Sequence, residues 1–153
     1  MKLVLGYPPS ANLYWRTVVP PGAKFANTYV SKEAKDYKRQ VRIAAYEQGV
    51  RKPIAGRVFV AIELYPHRPQ DWEKRARRDP MSWDDSVQCL DLDNARKVLY
   101  DALKGVAYAD DAWIRRDAGE RMEPDELGAR VVVTIEPIVR SSPQPALFAE
   151  AVA

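Results

Sequence analysis

The chain has 153 residues, 46% of them hydrophobic and 29% charged, with a formal net charge of +3; this is the size and composition of one globular domain rather than two. A single cysteine, Cys89, excludes an intrachain disulfide, and together with the one histidine, His67, it cannot build a zinc site. Any metal site must therefore use oxygen ligands, which points to Mg²⁺ or Mn²⁺, and the lack of a signal-peptide pattern or an apolar run of membrane-spanning length sets the expectation of a cytoplasmic protein with no membrane partner.

Lys2 to Gly6 alternates as a first strand. Tyr7-Pro8-Pro9-Ser10 ends it, because proline donates no ladder hydrogen bond. Residues 10 to 30 read as a long loop with a turn at Pro20-Pro21-Gly22 and with Arg16 and Lys24 as exposed cations. Ser31 is the expected N-cap of a helix, with Glu33 near its positive end. Ala34, Tyr37, Val41, Ala44 and Ala45 recur at helical spacing up to about Gln48, and Gly49 fits the cap. The opposite face carries Lys35, Lys38, Arg39 and Arg42, a pattern more often solvated than phosphate-bound.

Arg57 to Tyr65 is the clearest strand: Val58, Val60, Ile62 and Leu64 fall on one side. Residues 66–90 read as a charged insertion without a period. It carries Arg68, Lys74, Arg75, Arg77 and Arg78, along with Trp72 and Trp83. Arg130 to Glu136 is β-branched and reads as a late strand, stopped by Pro137. The tail, residues 139–153, has little to bury and is expected to be disordered.

The densest chemistry lies between Asp91 and Asp111. Asp91-Leu92-Asp93 reads as the end of an extended segment, with both carboxylates on one face and Leu92 turned inward. Two such carboxylates repel unless a cation lies between them. A helix is expected to begin near Asp93, which can itself serve as N-cap, with Ala95, Val98, Leu99, Ala102 and Leu103 as its apolar stripe. Lys104 then sits at its negative end and Gly105 at the cap. Asp93, Lys97 and Asp101 line one side of this helix. After the turn, Asp110-Asp111 is expected to return toward Asp91, one acid completing the site. Each feature alone has an ordinary reading as a cap, a surface ion pair or a turn. Their convergence, beside an arginine-rich stretch, is what argues for a hard dication next to a phosphodiester.

The run Asp91-Leu92-Asp93-Asn94-x-x-Lys97-x-x-x-Asp101-Ala102-Leu103-x-Gly105-x-x-Tyr108-x-Asp110-Asp111 resembles the signature of the RusA family, Holliday junction resolvases of bacteriophages and prophages. Tyr7-Pro8-Pro9-Ser10-x-Asn12 resembles the family's opening element, and Tyr29-Val30-Ser31 also looks similar. The resemblance implies a small α/β (α+β) homodimer, with a mixed β-sheet packed against two or three helices in a single domain over residues 1–138. It implies binding of branched DNA and Mg²⁺-dependent cutting of opposing strands, with Mn²⁺ able to substitute. Carried over by position, Asp91, Asp93 and Asp111 are the catalytic and metal-binding acids and Lys97 is the essential lysine; the residues themselves leave Asp110 to bind a second ion, water or the backbone. Phosphate contacts are expected from Arg16, Lys24, Arg68, Lys74, Arg75, Arg77 and Arg78. Trp72 and Trp83 either stack on an unpaired base or, the commoner use, cover apolar surface. The alternatives are a nuclease of forks or flaps, a junction-binding protein without catalysis, and an acidic interaction protein without affinity for DNA.

Overall fold

A computed structural model describes residues 1–140, so most of the expected disordered tail lies outside the described residues. In chain order the elements are β1 (Lys2–Gly6), α1 (Ala11–Tyr14), β2 (Trp15–Val18), β3 (Asn27–Val30), α2 (Lys32–Glu47), β4 (Val58–Tyr65), α3 (Trp72–Arg78), α4 (Leu92–Leu103), β5 (Ile114–Arg121) and β6 (Arg130–Pro137). Two 3₁₀ turns, Trp83–Ser86 and Asp111–Trp113, sit in the connections. The result is a mixed α/β domain. A four-stranded sheet in the order β1-β6-β4-β5 is accompanied by a separate β2-β3 hairpin.

β6 runs antiparallel to both β1 and β4, while β4 and β5 are parallel. Strands β1, β4 and β5 therefore share one direction. A parallel pair cannot be closed by a tight turn and needs a crossover, usually helical. Here that crossover is residues 66–113, with α3 and α4 in it, so the whole acidic motif belongs to the connection between two neighbouring strands.

One sheet face is dry. Leu3, Leu5, Val58, Val60, Ile62, Leu64, Val131, Val133 and Ile135 are buried there against Ala34, Tyr37, Val41 and Ala45 of α2 and Ala95, Val98, Leu99, Ala102 and Leu103 of α4. Both helical stripes are those expected from 3.6-residue spacing. The Ser31 hydroxyl accepts from the Ala34 N–H at 3.1 Å, the capping bond anticipated at the start of α2. Among the described residues, no helix contributes to the buried cluster from the other sheet face. Arginines cover part of it: Arg116 lies over the Phe59 ring at 4.7 Å and Arg130 over Tyr65 at 3.8 Å.

Two expectations about these elements fail, and one strand escapes the sequence reading. Residues 10–30 are not a loop throughout but contain α1 and the β2-β3 hairpin, whose exposed burial pattern leaves little periodic signal. The 66–90 insertion holds α3, a seven-residue helix with no buried side chain and so no apolar stripe to reveal it. Strand β5 (IRRDAGER) is an edge strand, mostly exposed, and its polar sequence hides it. It is held from one side by α4. Arg96 Nε lies 2.7 Å from Asp117 Oδ2, off the line of a good hydrogen bond, and the Tyr100 hydroxyl donates to the same oxygen at 2.8 Å. Gly119 lies beneath this clamp, and a Cβ there would meet the Arg96 guanidinium at 2.7 Å and displace the end of that side chain.

Candidate active site

Because β1 and β4 point the same way, the segments leaving them emerge at one edge of the sheet, where Gly6 and Tyr65 both pair with Arg130. The N-terminus of α4 starts at this same edge. The three together wall a cleft of about 810 Å³ lined by Tyr7, Asn12, His67, Gln88, Asp91 and Asn94, among others. Ligand sites favour the carboxyl ends of strands in open α/β sheets for this topological reason. The Tyr7 hydroxyl fixes the wall. It accepts from the Leu90 N–H at 2.8 Å and lies 3.5 Å from Cys89 Sγ. Burial, reinforced by the cysteine contact, pushes the phenol up to about 12, so it stays protonated in place. The opening Tyr7-Pro8-Pro9-Ser10 run and the acidic motif are thus joined side by side.

Asp91 occupies the N-cap position of α4, yet its side chain makes no capping hydrogen bond. Its carboxylate faces the cleft instead. Asp93 falls in the first helical turn, so the expected extended Asp91-Leu92-Asp93 geometry, with both acids on one strand face, is wrong. The cap falls two residues earlier than Asp93, at Asp91, which has the extended dihedrals of a cap, and the helix starts at Leu92. Both acids still benefit from the positive end of the helix. Lys97 lies one turn on, its ammonium 2.6 Å from Asp93 Oδ2, and both side chains are more than half exposed. Asp101 does not share that site: it accepts from the Tyr14 hydroxyl at 2.5 Å and pairs with Lys38 at 2.6 Å, tying α4 to α1 and α2.

Asp110 and Asp111 stand elsewhere. Lys104, at the C-terminus of α4, reaches Asp110 at 2.7 Å and Asp111 at 3.3 Å. The 12 residues of α4 span about 18 Å at 1.5 Å per residue. The acidic pair is therefore separated from Asp91 by the length of the helix, and the expected return toward Asp91 does not occur. The reason is the parallel crossover. β5 must begin beside the start of β4, with Ile114 opposite Val58, while the cleft opens at the other end. Accordingly, among the described residues no group of three or more His, Cys, Asp or Glu side chains gathers to hold an ion. The donor chemistry does suit a hard dication, since every candidate is a carboxylate. Lysine ammoniums serve as counter-ions for Asp93, Asp110 and Asp111.

Lys104 holds the Asp110 carboxyl down at about 2, helped by the Ala112 N–H and by Asp111. The pair in turn raises Lys104. A depressed carboxyl contributes stability above its unfolded value and loses it as pH falls through the folded one. A ¹³C-detected titration should therefore place the Asp110 midpoint near 2, and Lys104→Gln should bring it back toward the ordinary range; an unchanged midpoint in the variant would break this assignment.

The expected DNA contacts are spread out. Arg16 lies on the β2-β3 hairpin and Lys24 in its turn region, both exposed. Arg68 stacks on Trp72 at 4.6 Å and pairs with Glu126 at 3.7 Å. Arg75 pairs with Asp71 at 2.9 Å and donates to the Ser86 hydroxyl at 3.1 Å, bracing the cleft wall. Arg77 pairs with Glu73 at 3.6 Å, and Lys74 and Arg78 sit on the same short helix. Trp83 is buried and donates to Glu123 at 3.0 Å, so it covers apolar surface, and the half-buried Trp72 packs 6.2 Å away. His67 and Gln88 are cleft residues that sequence reasoning misses; no motif marks them, and only the path of the chain brings them to Asp91.

A mixed α/β domain with carboxylates and lysines at both ends of one helix, flanked by exposed arginines, has the makings of an enzyme acting on a polyanion. Residues 6–136 match the family model described as Endodeoxyribonuclease RusA. The chain belongs to that family of DNA-cutting enzymes. No curated protein matches the chain.

Proposed function

We propose that this chain is a divalent-metal-dependent endonuclease that resolves four-way DNA junctions by paired incisions, and that it does so as a homodimer with shared active sites. The observation that carries this reading is the family match together with the two separated acid sets. One protomer keeps Asp91 and Asp93 a helix length from Asp111. A two-fold dimer, the commonest closed assembly, can bring the partner's Asp111 to the Asp91-Asp93 end twice over. Asp91, Asp93 and the partner's Asp111, with Asp110 beside it, would then hold Mg²⁺ or Mn²⁺. When bound, the ion supplies a more acidic water and neutralises charge on the phosphate. Lys97, one turn from Asp93, is within side-chain reach of a phosphate held at that site, where its ammonium stabilises charge building on the nonbridging oxygens. Asn94 and Tyr7 shape the cleft that orients the strand. Exposed Arg16, Lys24, Lys74 and Arg78 supply contacts to the DNA arms, which makes binding fall steeply with salt. Two identical sites related by a two-fold axis match the near two-fold symmetry of a junction.

The test is cleavage of a fixed four-way junction, a flap and a plain duplex, with Mg²⁺ and with EDTA, resolving both strands on a denaturing gel. The expected result is symmetric incision of the junction that EDTA abolishes. Undiminished cutting in EDTA would sink the metal assignment, and preferential cutting of the flap would move the substrate to forks and flaps.

A further inference from the structure

The cleft beside Asp91 has polar side chains in its lining that the fold does not use. Three amide side chains, Asn12, Gln88 and Asn94, project into it with the imidazole of His67. Asn12, His67 and Gln88 are exposed and Asn94 is half-buried; among the described residues, none of these four side chains has a hydrogen-bond partner within the protein, and the bond at Asn12 is made by its backbone N–H. The surrounding groups, by contrast, are fixed: Tyr7 by Leu90, Arg75 by Asp71 and Ser86. Pro8, Pro69 and Leu90 add apolar groups to the same lining. An open cleft of about 810 Å³ has room for a group the size of a small organic ligand.

Amides that both donate and accept, set among apolar walls, are the chemistry that reads the edge of a nucleobase. Enzymes that admit a single base take it out of the stack and hold it between such walls, and the cost is least where the base is already unpaired. A junction crossover supplies unpaired or strained bases close to the phosphate that is cut. We propose that this cleft receives one extruded base of the cut strand, and that the Asn12 and Gln88 amides determine which base is accepted. This rests on the junction-endonuclease reading and adds to it a source of sequence preference. Gln88 lies in the 66–90 insertion, which gives that segment a role in substrate choice.

The experiment places 2-aminopurine at each crossover position of an immobile four-way junction and adds the full chain in EDTA, so that binding occurs without cutting. The expected result is a severalfold rise in 2-aminopurine emission at one position, lost in Asn12→Ala and Gln88→Ala while the gel shift persists. With Mg²⁺, those variants should cut a panel of junctions differing in crossover sequence with preferences flattened at least tenfold relative to wild type. A normal gel shift with no emission change at any position overturns the base pocket and leaves the endonuclease reading intact. Absence of any gel shift removes both. Unchanged sequence preference in both variants also overturns the proposal, and the wild-type emission measurement decides the matter even if a variant does not fold.

Discussion

Asp93→Asn chains and Asp111→Asn chains, each inactive alone, should recover cutting when they are mixed and allowed to exchange subunits. In a dimer with shared sites, the mixed pair has one site carrying both substitutions and one carrying neither. Random exchange makes about half the dimers mixed, so about a quarter of all sites are intact. The mixed dimer should nick one strand of a junction rather than resolve it, because its second site is dead. If each site belonged to one protomer, no intact site could arise from any mixture. Alone, each variant should lose roughly two to three orders of magnitude in turnover, the range for removing one charge-stabilising group from a site, while still shifting junction DNA. Folding should be little affected. Asp93 is largely exposed, and its favourable position at the helix N-terminus is worth about 0.3–1 kcal/mol at most. Persistent inactivity of the mixture, with exchange verified by mass, would return the third acid to the same protomer.

Leu99→Ala should destabilise the domain by about 2–5 kcal/mol, the usual cost of removing a fully buried leucine side chain and leaving a cavity. Leu99 is wholly buried at the middle of α4, in the cluster that includes Val98, Ile62 and Ile135. The expected consequence is on stability and not on the site. α4 is the spacer that carries Asp91 and Asp93 at one end and Lys104 at the other. Urea unfolding followed by circular dichroism measures the loss, and cleavage at a temperature where the variant is still folded should remain close to wild type. A loss below about 1 kcal/mol would mean that α4 docks less tightly on the sheet than its burial indicates.

Much of the fold is legible in the order of the amino acids. Strands β1, β4 and β6 and helices α2 and α4 announce themselves because each buries one face, and burial imposes a period of 2 or 3.6 on the sequence. The elements that escape such a reading bury little: α3 has no buried residue, and β5 and the β2-β3 hairpin are mostly exposed. An element that owes its shape to hydrogen bonds and neighbours, not to a dry face, leaves no periodic trace. The Asp93-Lys97 pair is readable because i to i+4 contacts are set within one helix.

Amino-acid order also supplies the candidate groups: a family signature from Asp91 to Asp111, carboxylates rather than histidines or cysteines, a lysine one turn from Asp93, and the helix that bears them. Only folding distributes these groups in space. The parallel pairing of β4 and β5 forces the chain back to the start of the sheet, which leaves Asp110 and Asp111 with Lys104 and far from the cleft. That same topology brings Tyr7, His67 and Gln88 to Asp91. Spacing along a chain fixes only contacts made within one element. Where two elements meet depends on strand order and direction, which are settled by the burial of the whole sheet.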